Sequence, residues 1–218
     1  MRTIKVTGRG RLKLRPDMTR ITLSLEGGSE DYADTLRRSS KDTETLREVL
    51  AGLGFDRGEL KTLSFHVDTE FESYEERGVF KRRFLGYKFY HTLKLEFSSD
   101  NELLGRVLAA LAACPVRAEV QLGYAVRDRE AAKNALLASA VSDARTKAEV
   151  LTQAAGLRLK QLQSIDYSWG ELNLEVRPMN RGLMMAKADG AAAESYSLDI
   201  EPDDVEVADN VTLIWEID

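Results

Sequence analysis

The chain has 218 residues, 43% hydrophobic and 31% charged, a composition that excludes a disordered protein. Its 31 Lys and Arg stand against 36 Asp and Glu, a net charge of -5, so nucleic acid is not an expected partner. The single cysteine, Cys114, excludes an internal disulfide framework and a multi-cysteine zinc site, and two histidines leave little for a His-based metal or acid–base site.

The chain opens on strand alternation, with Ile4 and Val6 against Thr3 and Lys5. Gly8 and Gly10 bracket Arg9 and predict a bulge or bend, and Leu12 and Leu14 continue the strand to Pro16-Asp17. No apolar leader precedes this alternation, so the chain is expected to be cytoplasmic. The longest apolar run, Val107 to Cys114, falls short of the roughly 20 residues of a membrane span. A second strand places Ile21, Leu23 and Leu25 on one face and ends at Gly27-Gly28.

Ser29 then reads as the N-cap of a helix, with Glu30 and Asp31 in the first turn. Its inner stripe is Ala33, Leu36, Ser40, Thr43, Leu46, Leu50 and Leu53, and Gly52 and Gly54 offer stops. A long hairpin follows. One arm alternates through Leu63, Phe65, Val67, Thr69 and Phe71, the other through Tyr87, Phe89, His91, Leu93, Leu95 and Phe97, with a charged link from Glu72 to Arg83. Both apolar sets are odd-numbered. A two-residue turn would pair odd with even, so the loop holds an odd number of residues or an arm carries a bulge.

Ser99 to Glu102 has the pattern of a capping box and opens a helix that Cys114-Pro115 ends. Val116 to Val126 alternates as a strand, and Asp128 caps the longest helix, whose seam reads Leu137, Val141, Ala144, Ala148, Leu151 and Ala155. Strand character returns through Leu159, Ile165, Tyr167 and Trp169, and again from Val205 to Ile217. Residues 170–195, with Met179, Met184 and Met185, read as a flexible insertion. The expected class is α+β, with mostly antiparallel sheets and three helices built from two β-α-β-β units. The expected organisation is one domain over 1–218, with sub-units 1–97 and 98–218.

Chemical motifs are scarce. Gly8-Arg9-Gly10 lacks the third glycine and the following helix of a dinucleotide fingerprint. His66 and His91 fall on opposite faces by parity and cannot share a ligand. Cys114 sits at a helix C-terminus, the wrong end of the dipole for a thiolate. Asp199, Glu201, Asp203, Asp204 and Glu206 lack the spacing of a calcium loop. Arg77, Lys81, Arg82 and Arg83 lie beside Glu72, Glu75 and Glu76, and such mixed signs at a hairpin tip read as a solvated edge. No catalytic, cofactor or metal residue is assigned, and no cofactor is expected.

The order of short motifs resembles the SIMPL-domain family, a domain of unknown function that includes periplasmic immunogenic and oxidative-stress-defence proteins. The matching residues are Val6-Thr7-Gly8-Arg9-Gly10 with Arg15-Pro16-Asp17, Gly52-Leu53-Gly54 with Leu60-Lys61-Thr62, and Gly86-Tyr87 with Leu93-Lys94-Leu95. The helix Ala131 to Gly156 is similar to the family's signature through Asp143, Ala144, Lys147 and Ala148, and Ile200-Glu201-Pro202 to its closing segment. His91 stands where the family commonly has asparagine, and Asp203 where it has glycine. The resemblance implies an α+β fold, homo-oligomers and a link to stress defence, and supplies no catalytic residues.

The leading expectation is therefore a non-enzymatic, self-associating scaffold or binding protein. Tyr74, Phe80, Phe84, Leu85 and Tyr90, at or near the hairpin tip, are the candidate oligomer interface, with the methionine stretch adding adaptable packing. The alternatives are a hydrolase using carboxylates such as Glu26 or Asp68, and a small-ligand binding module.

Overall fold

The structure, a computed structural model, describes residues 2–167, 175–176 and 201–218. The methionine stretch, Asp199 and most of the expected insertion lie outside them. The elements are β1 (Arg2–Leu14), β2 (Met18–Ser29), α1 (Tyr32–Ala51), β3 (Lys61–Glu76), β4 (Val79–Ser98), α2 (Asn101–Ala113), β5 (Glu119–Ala125), α3 (Arg129–Ala154), β6 (Leu159–Asp166), the two-residue β7 (Glu175–Val176) and β8 (Val205–Ile217). The class is α+β, as expected.

The chain divides into two compact units. Among the described residues, one comprises 18–124 and 201, and the other 2–17, 125–167, 175–176 and 202–218. The second is discontinuous because the chain ends meet: β1 pairs antiparallel with β8 from Arg2↔Ile217 to Leu14↔Val205 without a break. These units are not the sequence halves 1–97 and 98–218.

In the unit of 18–124, the strand order is β3-β4-β2-β5. Ile21, Leu23, Leu25, Phe89, Leu93 and Leu95 pack against Leu46 and Leu50 of α1 and Leu104, Val107 and Leu111 of α2. At about 25 cal/mol per Å² of apolar surface removed from water, this core is what holds the unit together. Helix α1 starts two residues later than expected. Asp31 has the extended backbone of an N-cap and its carboxylate accepts from Asp34 N, 3.0 Å away, while Ser29 closes β2. Its buried stripe is Thr35, Ser39, Thr43, Leu46 and Leu50, so the early part of the expected stripe is displaced by hydroxyl-bearing residues. Asp100, not Ser99, caps α2 and accepts from Leu103 N at 3.0 Å.

In the other unit, α3 lies on the sheet β1-β8-β6. Its buried residues are Ala132, Leu136, Ala140, Ala144, Ala148 and Thr152. Of the expected seam only Ala144 and Ala148 are buried; Val141 and Leu151 are exposed. The glycines of β1 explain the alanine face. A Cβ at Gly8 would lie 2.1 Å from the Ala140 carbonyl oxygen, and one at Gly10 would lie 2.3 Å from that of Leu136. They admit the backbone of α3 directly onto the strand, and no bulge occurs there. Asp143 of α3 also accepts from Arg9 N at 2.7 Å and holds Lys147 Nζ at 2.7 Å, and Lys147 donates to Thr7 O at 3.4 Å. These side chains cap the outer edge of β1.

Candidate functional site

The expected loop between Glu72 and Arg83 is instead more hairpin. β3 and β4 stay paired to Glu76↔Val79, with only Arg77 and Gly78 in the turn. Both turn residues have positive φ, 55° and 79°, the pattern of a type I′ turn. Cross-strand charge holds the extension, through Glu72–Arg83 at 2.6 Å and Glu76–Lys81 at 2.5 Å.

Bulges reconcile this short turn with the odd-numbered apolar sets. At the tip Phe71 faces Phe84, in the middle Val67 faces Phe89, and at the base Thr62 faces Leu93. The register shifts once at Leu85, which has no partner on β3, and once at Leu63, which has none on β4.

β2 pairs with β4 only as far as Ser29↔Tyr87. Beyond it, a two-stranded arm projects from the sheet. Opposed residues share a face, and faces alternate along each strand. One face carries Phe71, Phe84, Ser73, Arg82, Glu75 and Phe80; the other carries Glu72, Arg83, Tyr74, Lys81 and Glu76. The first face continues the helix-covered side of the sheet as a ladder of rings. Tyr32 of α1 meets Tyr87 at 5.3 Å, Tyr87 meets Phe84 at 5.3 Å, and Phe84 meets Phe71 at 5.7 Å. The Arg82 guanidinium lies 4.6 Å above the Phe71 ring. Phe80, at 80% exposure, ends the row.

The five expected interface residues therefore divide. Phe80 and Phe84 lie on the aromatic face. Tyr74 is on the ionic face, Leu85 is the bulge residue, and Tyr90 is on the far side of the sheet, stacked on His66 at 4.9 Å. Phe71, Tyr87 and Tyr32 complete the ladder. The first two were legible only as members of the alternating arms.

His66 and His91 occupy opposite faces, as parity requires. Ser39 and Thr43 hydroxyls sit 3.2 and 3.3 Å from His91 Nδ1, and that of Thr62 sits 2.9 Å from Nε2. Burial, then the Arg47 charge, lowers the His91 pKa. Hydroxyls on both ring nitrogens fix the imidazole in place. Glu26 is ion-paired with Lys88 at 3.0 Å, a hydrogen bond that raises the lysine pKa, and Asp68 is exposed with His66 Nε2 at 4.0 Å. Both carboxylates lie on an open sheet face. A shallow concavity of about 380 Å³ lies beside the arm's root, lined by Gly28, Ser29, Glu30, Glu70, Leu85, Gly86, Tyr87 and Lys88.

Cys114 is the half-buried C-cap of α2. Asp204 and Glu206 face Lys13 at 3.5 and 3.8 Å. Among the described residues no group of three His, Cys, Asp or Glu is placed to hold a metal, and no helix is long and apolar enough to cross a membrane.

No curated protein matches the chain. The family model for SIMPL, a protein of unknown function (DUF541), matches residues 4–215. That span takes in the glycines of β1, the Asp143–Lys147 cap and the whole hairpin arm, and by it the chain belongs to the SIMPL family.

Proposed function

We propose that this protein is a non-enzymatic scaffold that self-associates through the aromatic face of its hairpin arm. The observation that carries this reading is the exposed row Phe71, Phe84 and Phe80 on a ribbon outside the sheet. Exposed rings on a projecting ribbon, here interleaved with Ser73, Arg82 and Glu75, suit a contact surface, since aromatics and arginine are enriched at interface cores. The ionic face opposite keeps the arm extended and solvated. Further support comes from the candidate carboxylates Glu26 and Asp68, which engage Lys88 and His66 on an open surface and do not converge on a reacting atom. Light scattering behind size exclusion at micromolar concentration tests the reading. An assembly is expected, and Phe80→Ser with Phe84→Ser is expected to convert it to a folded monomer. A single 24.4 kDa species that persists on concentration overturns it.

A further inference from the structure

The two strands β1 and β3 each form the outer edge of a sheet, and they are finished differently. Asp143 and Lys147 cover the edge of β1. β3 is longer, and among the described residues no hydrogen bond reaches its outer backbone groups. An open edge of this length is a template for another strand.

Its side chains specify which strand. From Ser64 to Glu76 β3 alternates without a break. One face carries Phe65 and Phe71, each 43% exposed; the other carries Asp68, Glu70, Glu72 and Glu76. The inner partner shows what such a strand prefers beside it, since β4 sets Arg83 opposite Glu72 and Lys81 diagonal to Glu76 as ion pairs. Nearer the root this matching is incomplete. Lys88, opposite Asp68, turns to Glu26, and Glu70 faces Gly86. Among the described residues, neither Asp68 nor Glu70 has a lysine or arginine partner. A like edge from a second copy would set acid near acid, so the complement is a different strand.

We propose that the outer edge of β3 takes up an extended segment of a partner protein as an added strand, and that it selects a segment alternating basic with apolar residues. Main-chain hydrogen bonds would supply affinity. Lysine or arginine beside Asp68 and Glu70, and apolar side chains beside Phe65 and Phe71, would supply specificity. This inference does not depend on self-association through the aromatic face.

The probe is a fluorescein-labelled nonapeptide alternating lysine and valine, titrated by anisotropy at 50 mM salt. Its glutamate–valine counterpart and a lysine–valine peptide N-methylated along one edge serve as comparators. Saturable binding of the first is expected, with at least about tenfold weaker binding of both others, since strand addition needs the backbone donors and the charge match. Asp68→Lys with Glu70→Lys is expected to exchange the preference between the two unmethylated peptides. Asp68→Asn with Glu70→Gln, a milder pair, is expected to weaken the lysine peptide severalfold. Equal binding of the N-methylated peptide would reduce the effect to charge attraction and overturn the proposal, as would failure of both variant pairs to change selectivity. Repeating the titration on Phe80→Ser/Phe84→Ser protein separates the readings. Retained peptide binding there supports the edge even if the chain proves monomeric.

Discussion

Gly8 shows how much can hang on a missing methyl group. Its absent Cβ leaves room for the Ala140 carbonyl and the Ala144 amide, 2.5 Å from where that Cβ would stand. Gly8→Ala is expected to lower the denaturant midpoint by the equivalent of about 2–4 kcal/mol, as overpacking against backbone cannot be relieved by a rotamer change. Gly58→Ala, with nothing within 4 Å of the added atom, is expected to be nearly neutral. On the facing helix, Ala148 is fully buried, and Ala148→Glu is expected to cost about 3 kcal/mol or more in the same measurement. The sequence displays the glycines openly, but their reason lies some 130 residues away in α3, which is why local reading turned them into a bend. His91 makes a pH prediction. Its pKa in the fold is below that of the unfolded chain, so the unfolded state binds the proton more readily. Stability is therefore expected to fall as pH drops from about 6.5 toward 5, and the urea midpoint of His91→Asn is expected to lose that part of the slope.

Among the elements, legibility tracked the sharpness of the apolar pattern. Strands with leucine or isoleucine at every second position, such as β2, were read with the right face, because a period of two admits one alternative only. Helix α3 was placed well along the chain but misread in rotation. Its alanines and leucines are spread around the helix, and size rather than hydrophobicity decides which face meets β1. The burial of Leu136 and Ala140 in place of Leu137 and Val141 follows from the close approach at Gly8 and Gly10. Helix α1 was misread at its start for the opposite reason. Its buried Thr35 and Ser39 look solvated in sequence and are inside because the Thr35 hydroxyl donates to Asp31 O and that of Ser39 bonds His91. The arm was half legible: parity demanded a bulge, but charge disguised the ribbon as a loop.

At the scale of the molecule, the interleaving of the two units was beyond local reading, since β1 finds β8 across almost the whole chain, as the Thr7–Thr212 hydroxyl contact illustrates. The contacts proposed for the aromatic face and for the β3 edge are expected to respond differently to ionic strength. The proposed association through Phe80 and Phe84 would be driven by apolar burial, so such an assembly is expected to persist at 0.5 M salt. Sedimentation velocity at 0.05 and 0.5 M salt checks this. An assembly that dissociates as salt rises would assign the contact to charge and remove the aromatic face as its basis.

The two unpaired leucines of the hairpin have a geometric consequence. One sits on each strand, so their offsets cancel, and base and tip would share one register if both were absent. Deleting Leu63, Leu85 or both is expected to preserve every cross-strand pair and the fold, since each is an extra residue between neighbours that already pair. What the double deletion removes is added twist and bend. The direction in which the arm points is thus set separately from the side chains it carries. Small-angle scattering on the double deletion should show an altered envelope with an unchanged circular dichroism spectrum, so aim and chemistry in this hairpin can be adjusted one at a time.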